Sequence, residues 1–135
     1  MSNCVFCKII SGEIPAQKVY EDAYVLAFLD INPLSKGHTL IIPKNHYELL
    51  SQIPEKEYLL YMQSLQKIIK GLMKYTDAVN IVENNGKDAG QLVPHVHFHI
   101  IPRRPGDGLK IGEWRAQHDP DLDKVQKVIQ SLLKE

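Results

Sequence analysis

The sequence predicts an α+β fold: an antiparallel sheet of about five strands carrying one long helix and a C-terminal helix. Two observations predict it. Short β-rich runs are gathered mostly by turns, and helical periodicity is confined to segments set apart from those runs. A third, the lack of any internal repeat, low-complexity tract or linker-like shift in composition, predicts one continuous domain over residues 1–135.

Each element has a local reason. A short helix is expected over Val5 to Ser11, closed by Gly12, whose backbone tolerates the left-handed turn that ends a helix. Lys18 to Glu21 reads as a fifth strand beside four stronger runs at Tyr24–Leu29, Thr39–Ile42, Ala78–Val82 and Val96–Ile101. Turn chemistry at Asn32-Pro33 and Asn84-Asn85-Gly86 ends two of them. Between the second and third strong runs, Tyr58, Met62, Leu65, Ile69 and Leu72 recur every three or four residues. Pro54 and Glu55 suit a first turn, so one amphipathic helix is expected over Pro54 to Lys74. Near the end, Asp121 caps a second helix that carries Leu122, Val125, Val128, Ile129 and Leu132.

A chain of 135 residues with 44% hydrophobic content can bury a core without disulfides. Lys+Arg and Asp+Glu both number 16. That balance provides no long-range field for nucleic acid or an anionic membrane, so any anionic substrate is small and held locally. Apolar stretches fall well short of a membrane span, and polar residues stand where a signal peptide is apolar, so a cytoplasmic location is expected. Two cysteines are too few for a disulfide framework. Their spacing, Cys4-Val-Phe-Cys7, reads as metal binding or redox chemistry, against the plain alternative of two reduced, half-buried thiols.

The run Pro94-His95-Val96-His97-Phe98-His99-Ile100-Ile101-Pro102 speaks most directly of chemistry. In extended chain, side chains alternate between faces, so three imidazoles share one face and Val96, Phe98 and Ile100 the other. Histidine titrates near neutrality, which gives such a row acid, base, nucleophile or metal-ligand capacity. Three readings stand open. The row is surface or satisfied structure; it is a three-histidine catalytic zinc site; or one ring attacks, another serves the leaving group and a third is structural. The zinc reading meets a geometric difficulty, because same-face positions are roughly 6.5 Å apart and ligands must come within about 2.1 Å of the ion.

The segment from Gly90 to Arg103, Gly-Gln-Leu-Val-Pro-His-Val-His-Phe-His-Ile-Ile-Pro-Arg, resembles the signature of the histidine triad nucleotide-binding proteins, a family of nucleotidyl hydrolases and transferases. Phe28-Leu29-Asp30-Ile31-Asn32-Pro33, the block Gly37 to His46, and Asn84-Asn85-Gly86 agree with it in order. The resemblance implies that His97 attacks the α-phosphate to form a nucleotidyl-histidine, with its other ring nitrogen held by the His95 carbonyl. It implies that His99 contacts phosphate and assists the leaving group, that Asn84 bonds a phosphate oxygen and that Gln91 lies in the same loop. Asp30 matches the ribose-binding acid, and Phe6, Ile10, Phe28, Leu29 and Ile31 are the implied lining for a purine base. Leu92 departs from the pattern, since relatives often have Ser or Thr there. Gly86, Gly90 and the amides between them are the alternative phosphate donors.

In one branch of the family the C-x2-C pair is completed by two histidines, which are His46 and His95 here. The implied cofactor is a structural Zn2+ held by Cys4, Cys7, His46 and His95, with no position open for water. His38 and His118 read as structural or surface. The resemblance further implies a homodimer that cleaves a phosphoramidate or dinucleoside polyphosphate and releases a nucleoside monophosphate. A nucleotidyltransferase, or a nucleotide-binding regulatory dimer with incidental catalysis, remains the alternative. Relatives diverge over Gly106 to Gln117, including Trp114.

Overall fold

The computed structural model describes residues 3–112 and 121–134. Its sheet contains β1 (Lys18–Glu21), β2 (Val25–Leu29), β3 (Thr39–Pro43), β4 (Ala78–Glu83) and β5 (Phe98–Arg103). The spatial order is β1-β2-β3-β5-β4, with every pairing antiparallel. Three helices accompany it, α1 (Val5–Ile10), α2 (Glu55–Leu72) and α3 (Leu122–Leu133). The expected α+β class and five strands are present. Two short 3-10 turns, Leu50–Gln52 and Lys87–Ala89, carry no signal that periodicity reads.

Both faces of the central strands are covered, which is why β2 and β3 read as continuous apolar runs. Val25, Ala27, Ile41, Val96, Phe98 and Ile100 pack with Tyr61, Leu65 and Ile68 of α2. Leu26, Phe28, Leu40 and Ile42 point the other way and pack with Cys4, Phe6 and Ile9. Strand alternation therefore sorts the core into two layers, and the second layer adjoins the functional site.

The α2 stripe lies about one residue from the expected one. Tyr58, at 36% exposed, is peripheral, whereas Tyr61 is 1% exposed and donates its hydroxyl to the Ile41 carbonyl at 2.6 Å. A polar tie adds to the packing. Ser64 donates to Asp22 Oδ2 at 2.6 Å, while Asp22 Oδ1 accepts from the amides of Tyr24 and Val25.

Strand β5 starts two residues later than the alternation suggested. The Val96 amide donates to Tyr47 O at 2.8 Å, outside any strand pairing. The strand then continues through Pro102, because β3 pairs no further than Ile100 and only β4 flanks the proline. His95 and His97 thus stand in the approach to β5, and His99 within it. In α3 the Asp121 side chain accepts from the Lys124 amide at 3.2 Å, as its capping role requires. Among the described residues no helix is long and apolar enough to cross a membrane.

Candidate functional site

A cavity of about 600 Å3 opens on the sheet face beside α1. Its apolar wall includes Phe6, Ile9, Phe28, Leu29 and Ile31, and its polar groups include Asp30, Asn84, His38, His97 and His99. Ile10 and Gln91 do not line it: Ile10 packs against the α1-side core, and Ile9 takes the place expected of it. His118 and Trp114 lie outside the described residues.

His97 Nδ1 lies 2.8 Å from its neighbour's carbonyl, His95 O. A carbonyl only accepts, so Nδ1 carries a proton and Nε2 keeps the lone pair of the neutral ring. The edge-on ring of Phe6, 5.1 Å away at 83°, braces this imidazole.

His99 is wired by a chain that begins in the backbone. The Leu34 amide donates to His38 Nδ1 at 3.0 Å, which leaves the proton on His38 Nε2. That proton faces His99 Nδ1 at 3.0 Å, so His99 carries its own proton on Nε2. His38, 3% exposed and bonded in this way, is thus part of the site; the sequence reading had set it aside as structural or surface. Asp30, His38 and His99 also form a cluster of metal-ligating types. Ligation through His38 Nε2 would force the proton onto Nδ1, against the Leu34 N–H, so the cluster is built as a hydrogen-bond chain. Burial first, then the neighbouring rings of His97 and His38, push His99 down from 6.5 to about 4. With the cavity empty of anions this keeps the ring in its uncharged form near neutral pH, with its Nε2–H as a hydrogen-bond donor.

This depression fixes a sign for stability. The unfolded chain takes up a proton at His99 below its ordinary value while the folded chain resists it. The contribution is fully present above pH 6.5 and is lost as pH falls toward about 4. Thermal melts are expected to show a lower midpoint at pH 5 than at pH 7.5, with a shallower pH dependence in His99→Gln; equal dependence in the variant refutes the assignment.

Asp30 divides its carboxylate. Oδ1 accepts from the Asn32 amide at 2.8 Å, and Oδ2 lies 3.6 Å from His38 Nε2. Asn84 faces the cavity, 3.5 Å from the Gly90 carbonyl. Asn84 begins the loop after β4, whose Gly86 adopts φ 97 and ψ 151, a region essentially reserved for glycine. Gln91 holds this loop. Its Nε2 donates to Glu48 O and Val93 O at 2.7 and 3.1 Å, and its Oε1 accepts from the Gly86 amide at 2.7 Å. The Gly90 amide donates to Lys87 O, so the two glycine amides expected to cradle phosphate are already used inside the loop. Gln91→Leu, by removing these bonds from a buried site, is expected to cost about 2–3 kcal/mol, read as a drop in thermal midpoint. Leu92 is 90% exposed at the cavity mouth.

Beside the cavity, four donors converge. Cys4 caps α1 and Cys7 sits in its first turn, with the Cys7 amide donating to Cys4 Sγ at 3.4 Å. His95 Nδ1 lies 3.3 Å from Cys4 Sγ and 3.7 Å from Cys7 Sγ; His46 Nδ1 lies 3.3 Å from Cys7 Sγ and 3.2 Å from His95 Nδ1. A tetrahedral zinc with arms of about 2.3 Å to sulfur and about 2.05 Å to nitrogen has S···N edges of about 3.6 Å and N···N edges of about 3.3 Å. The spacing fits. His95 Nε2 donates to Pro43 O at 2.8 Å, which turns the Nδ1 lone pair onto the cluster. Burial pushes His95 down to about 4, preserving the neutral form that a metal requires.

Fold and site together define a class: an α+β protein that presents buried histidines to an apolar cavity, with a two-sulfur, two-nitrogen donor set at its edge. The chain belongs to the HIT family, since residues 11–106 match the HIT domain. It is 55% identical over 129 residues to an uncharacterised HIT-like protein of Methanocaldococcus jannaschii, covering 93% of this chain and 98% of that one. It is 48% identical to an adenosine 5′-monophosphoramidase of Saccharomyces cerevisiae, over 96% of this chain and 80% of the relative. A crystal structure of a HIT family member from Bacillus subtilis superposes with a TM-score of 0.89 at 40% identity, covering 98% of this chain and 99% of that one. A Zn-bound histidine triad family protein from Mycobacterium smegmatis gives 0.74 at 39% identity, over 96% and 92%.

Proposed function

We propose that the protein is a hydrolase that cleaves a nucleotide conjugate, a phosphoramidate or dinucleoside polyphosphate, at its α-phosphate through a nucleotidyl-histidine on His97. The observation that carries this reading is the His97 ring, whose Nδ1–H is held by the His95 carbonyl at the wall of the cavity. A purine packs against Phe6 and Phe28, ribose hydroxyls donate to Asp30, and Asn84 donates to a phosphate oxygen. His97 Nε2 forms the bond to phosphorus as the bond to the leaving group breaks. The resulting cationic ring keeps its Nδ1–H on the His95 carbonyl, which stabilises that charge. His99 Nε2–H faces the leaving group, and the negative charge of a bound phosphate raises its pKa toward one suited to proton transfer. Water then attacks the nucleotidyl group, frees the monophosphate and restores His97.

Cys4, Cys7, His46 and His95 fit a structural zinc, which supplies a clamp between α1 and the approach to β5; the Zn-bound relative supports this. A cytoplasmic homodimer completes the proposal. The outer edge of β4 pairs with no strand among the described residues, and Ile81 on it is 48% exposed, which suits pairing with a second copy.

The test is chromatography of wild-type reactions with adenosine 5′-phosphoramidate and a diadenosine polyphosphate. Release of AMP is expected. Tight nucleotide binding without release would instead identify a regulatory binder, and transfer of the AMP group to added phosphate acceptors in preference to water would identify a transferase.

A further inference from the structure

We propose that Cys4 and Cys7 are also a peroxide-sensitive dithiol whose closure into a disulfide dismantles the nucleotide pocket. This rests on the functional reading above, whose pocket the thiols would control. Sequence spacing left the pair between metal and redox use, and the structure gives both uses a place. Both cysteines are free thiols, and their sulfurs lie within 4.8 Å of each other. A second cavity of about 350 Å3 is lined by Cys4, Val5, His46 and Leu92, which offers a small oxidant a route to the cluster. It shares Val5, Leu92 and Val93 with the nucleotide cavity, so one wall divides the two spaces.

That wall is α1. Val5, Phe6 and Ile9 face the nucleotide cavity, and Phe6 meets Phe28 at 5.6 Å and His97 at 5.1 Å. A helix of 6 residues has little stability of its own, so its place depends on what holds its first turn. In the cluster geometry that anchor is the thiol pair itself. A tetrahedral site keeps two sulfurs about 3.8 Å apart, whereas a disulfide draws them to about 2.05 Å. A disulfide therefore gives up the sulfur contacts to His46 and His95, and with them the tie that fixes the first turn of α1. His95 belongs to the same cluster, and its carbonyl orients the His97 ring, so the disturbance reaches the nucleophile as well as the base wall.

The chemistry balances with hydrogen peroxide as oxidant. One sulfur attacks a peroxide oxygen, the O–O bond breaks, and a sulfenic acid and water form. The second sulfur attacks the sulfenic sulfur, the S–O bond breaks and a second water leaves with the remaining proton. Two electrons pass from the sulfurs to peroxide, and the cluster loses both thiolate donors. A thiol reductant reverses the step, as a transient disulfide in a reducing compartment requires.

The experiment uses the full chain loaded with zinc. AMP is titrated by calorimetry before hydrogen peroxide treatment, after it, and after reduction with zinc resupplied. Intact mass and a chromogenic chelator follow the thiols and the metal. The expected result is loss of two hydrogens from the mass, release of the bound zinc and a rise of about tenfold in the AMP Kd, all reversed by reductant and zinc. By reciprocity AMP should also tighten zinc binding, read as less zinc ceded to the chelator at equilibrium. Oxygen addition without loss of two hydrogens, or a disulfide form that binds AMP unchanged, overturns the switch. If the reduced, zinc-loaded chain does not bind AMP at all, the nucleotide reading itself fails, a result distinct from either.

Discussion

His97→Ala is expected to lower turnover of adenosine 5′-phosphoramidate by at least about ten-thousand-fold and to abolish the nucleotidyl adduct on the protein. The magnitude follows from what is lost. On the proposed course the ring is the atom donor of the first bond, not a bystander that lowers a barrier by hydrogen bonding, and no neighbouring group is oriented to replace it. His99 has its Nδ1 occupied by His38 and its proton on Nε2, so it presents a donor where a nucleophile needs a lone pair. His95 has one nitrogen on Pro43 O and the other in the four-donor cluster. The affinity for AMP should change little, because Asp30, Phe6 and Phe28 are untouched, and that separation of binding from turnover distinguishes loss of the nucleophile from collapse of the pocket. The check is twofold: initial rates, and intact mass after an alkaline quench that preserves a phosphorus–nitrogen bond. An adduct of undiminished yield in the variant refutes the assignment.

Cys4→Ser carries the second large effect. A structural zinc contributes on the order of 10 kcal/mol of binding free energy to the folded state, comparable with the whole stability of a domain of this size. Only part of that should appear as lost stability, because the α2-side core of Val25, Ile41, Tyr61 and Ile100 makes no use of the cluster. The expected outcome is loss of stoichiometric zinc and a fall of about 10 °C in the thermal midpoint, equivalent to about 3 kcal/mol. The protein should remain cooperatively folded. Serine also removes the sulfur acceptor for the Cys7 amide, although its hydroxyl is itself a competent helix cap. Zinc content and midpoint both unchanged would exclude the ion from these four residues.

Much of this molecule is legible in the chain because its elements have regular periods. Alternation of Val96, Phe98 and Ile100 against the histidines put one set in the α2-side core and the other on the opposite face, His97 and His99 at the cavity and His95 in the four-donor cluster, even though His95 and His97 precede the strand proper. Helix α3 and its Asp121 cap were readable for the same local reason. What escaped depends on partners distant in sequence. His38 gains its role from the Leu34 amide on one side and from His99 on the other. A signal was available: His38 alternates with Leu40 and Ile42, and Leu40 stands opposite His99 across the sheet, but that register is not written in either segment alone. The family resemblance puts Gln91 in the phosphate-proximal loop, a position that says nothing of where its side chain points. Its amide reaches Glu48 and Gly86, contacts that exist only once the loop is folded. Ile10 and Ile9 differ by one step on a helix too short for periodicity to choose between them, and the α2 stripe shows the same one-residue ambiguity.

The most direct test of the account is the stereochemical course at phosphorus. A substrate made chiral at the α-phosphate by oxygen isotope and sulfur substitution is hydrolysed by the wild-type protein, and the configuration of the released monophosphate is determined. Attack by His97 followed by attack of water inverts the centre twice, so the account predicts net retention. Net inversion would mean that water displaces the leaving group directly, with His97 never bonded to the nucleotide, and would contradict it.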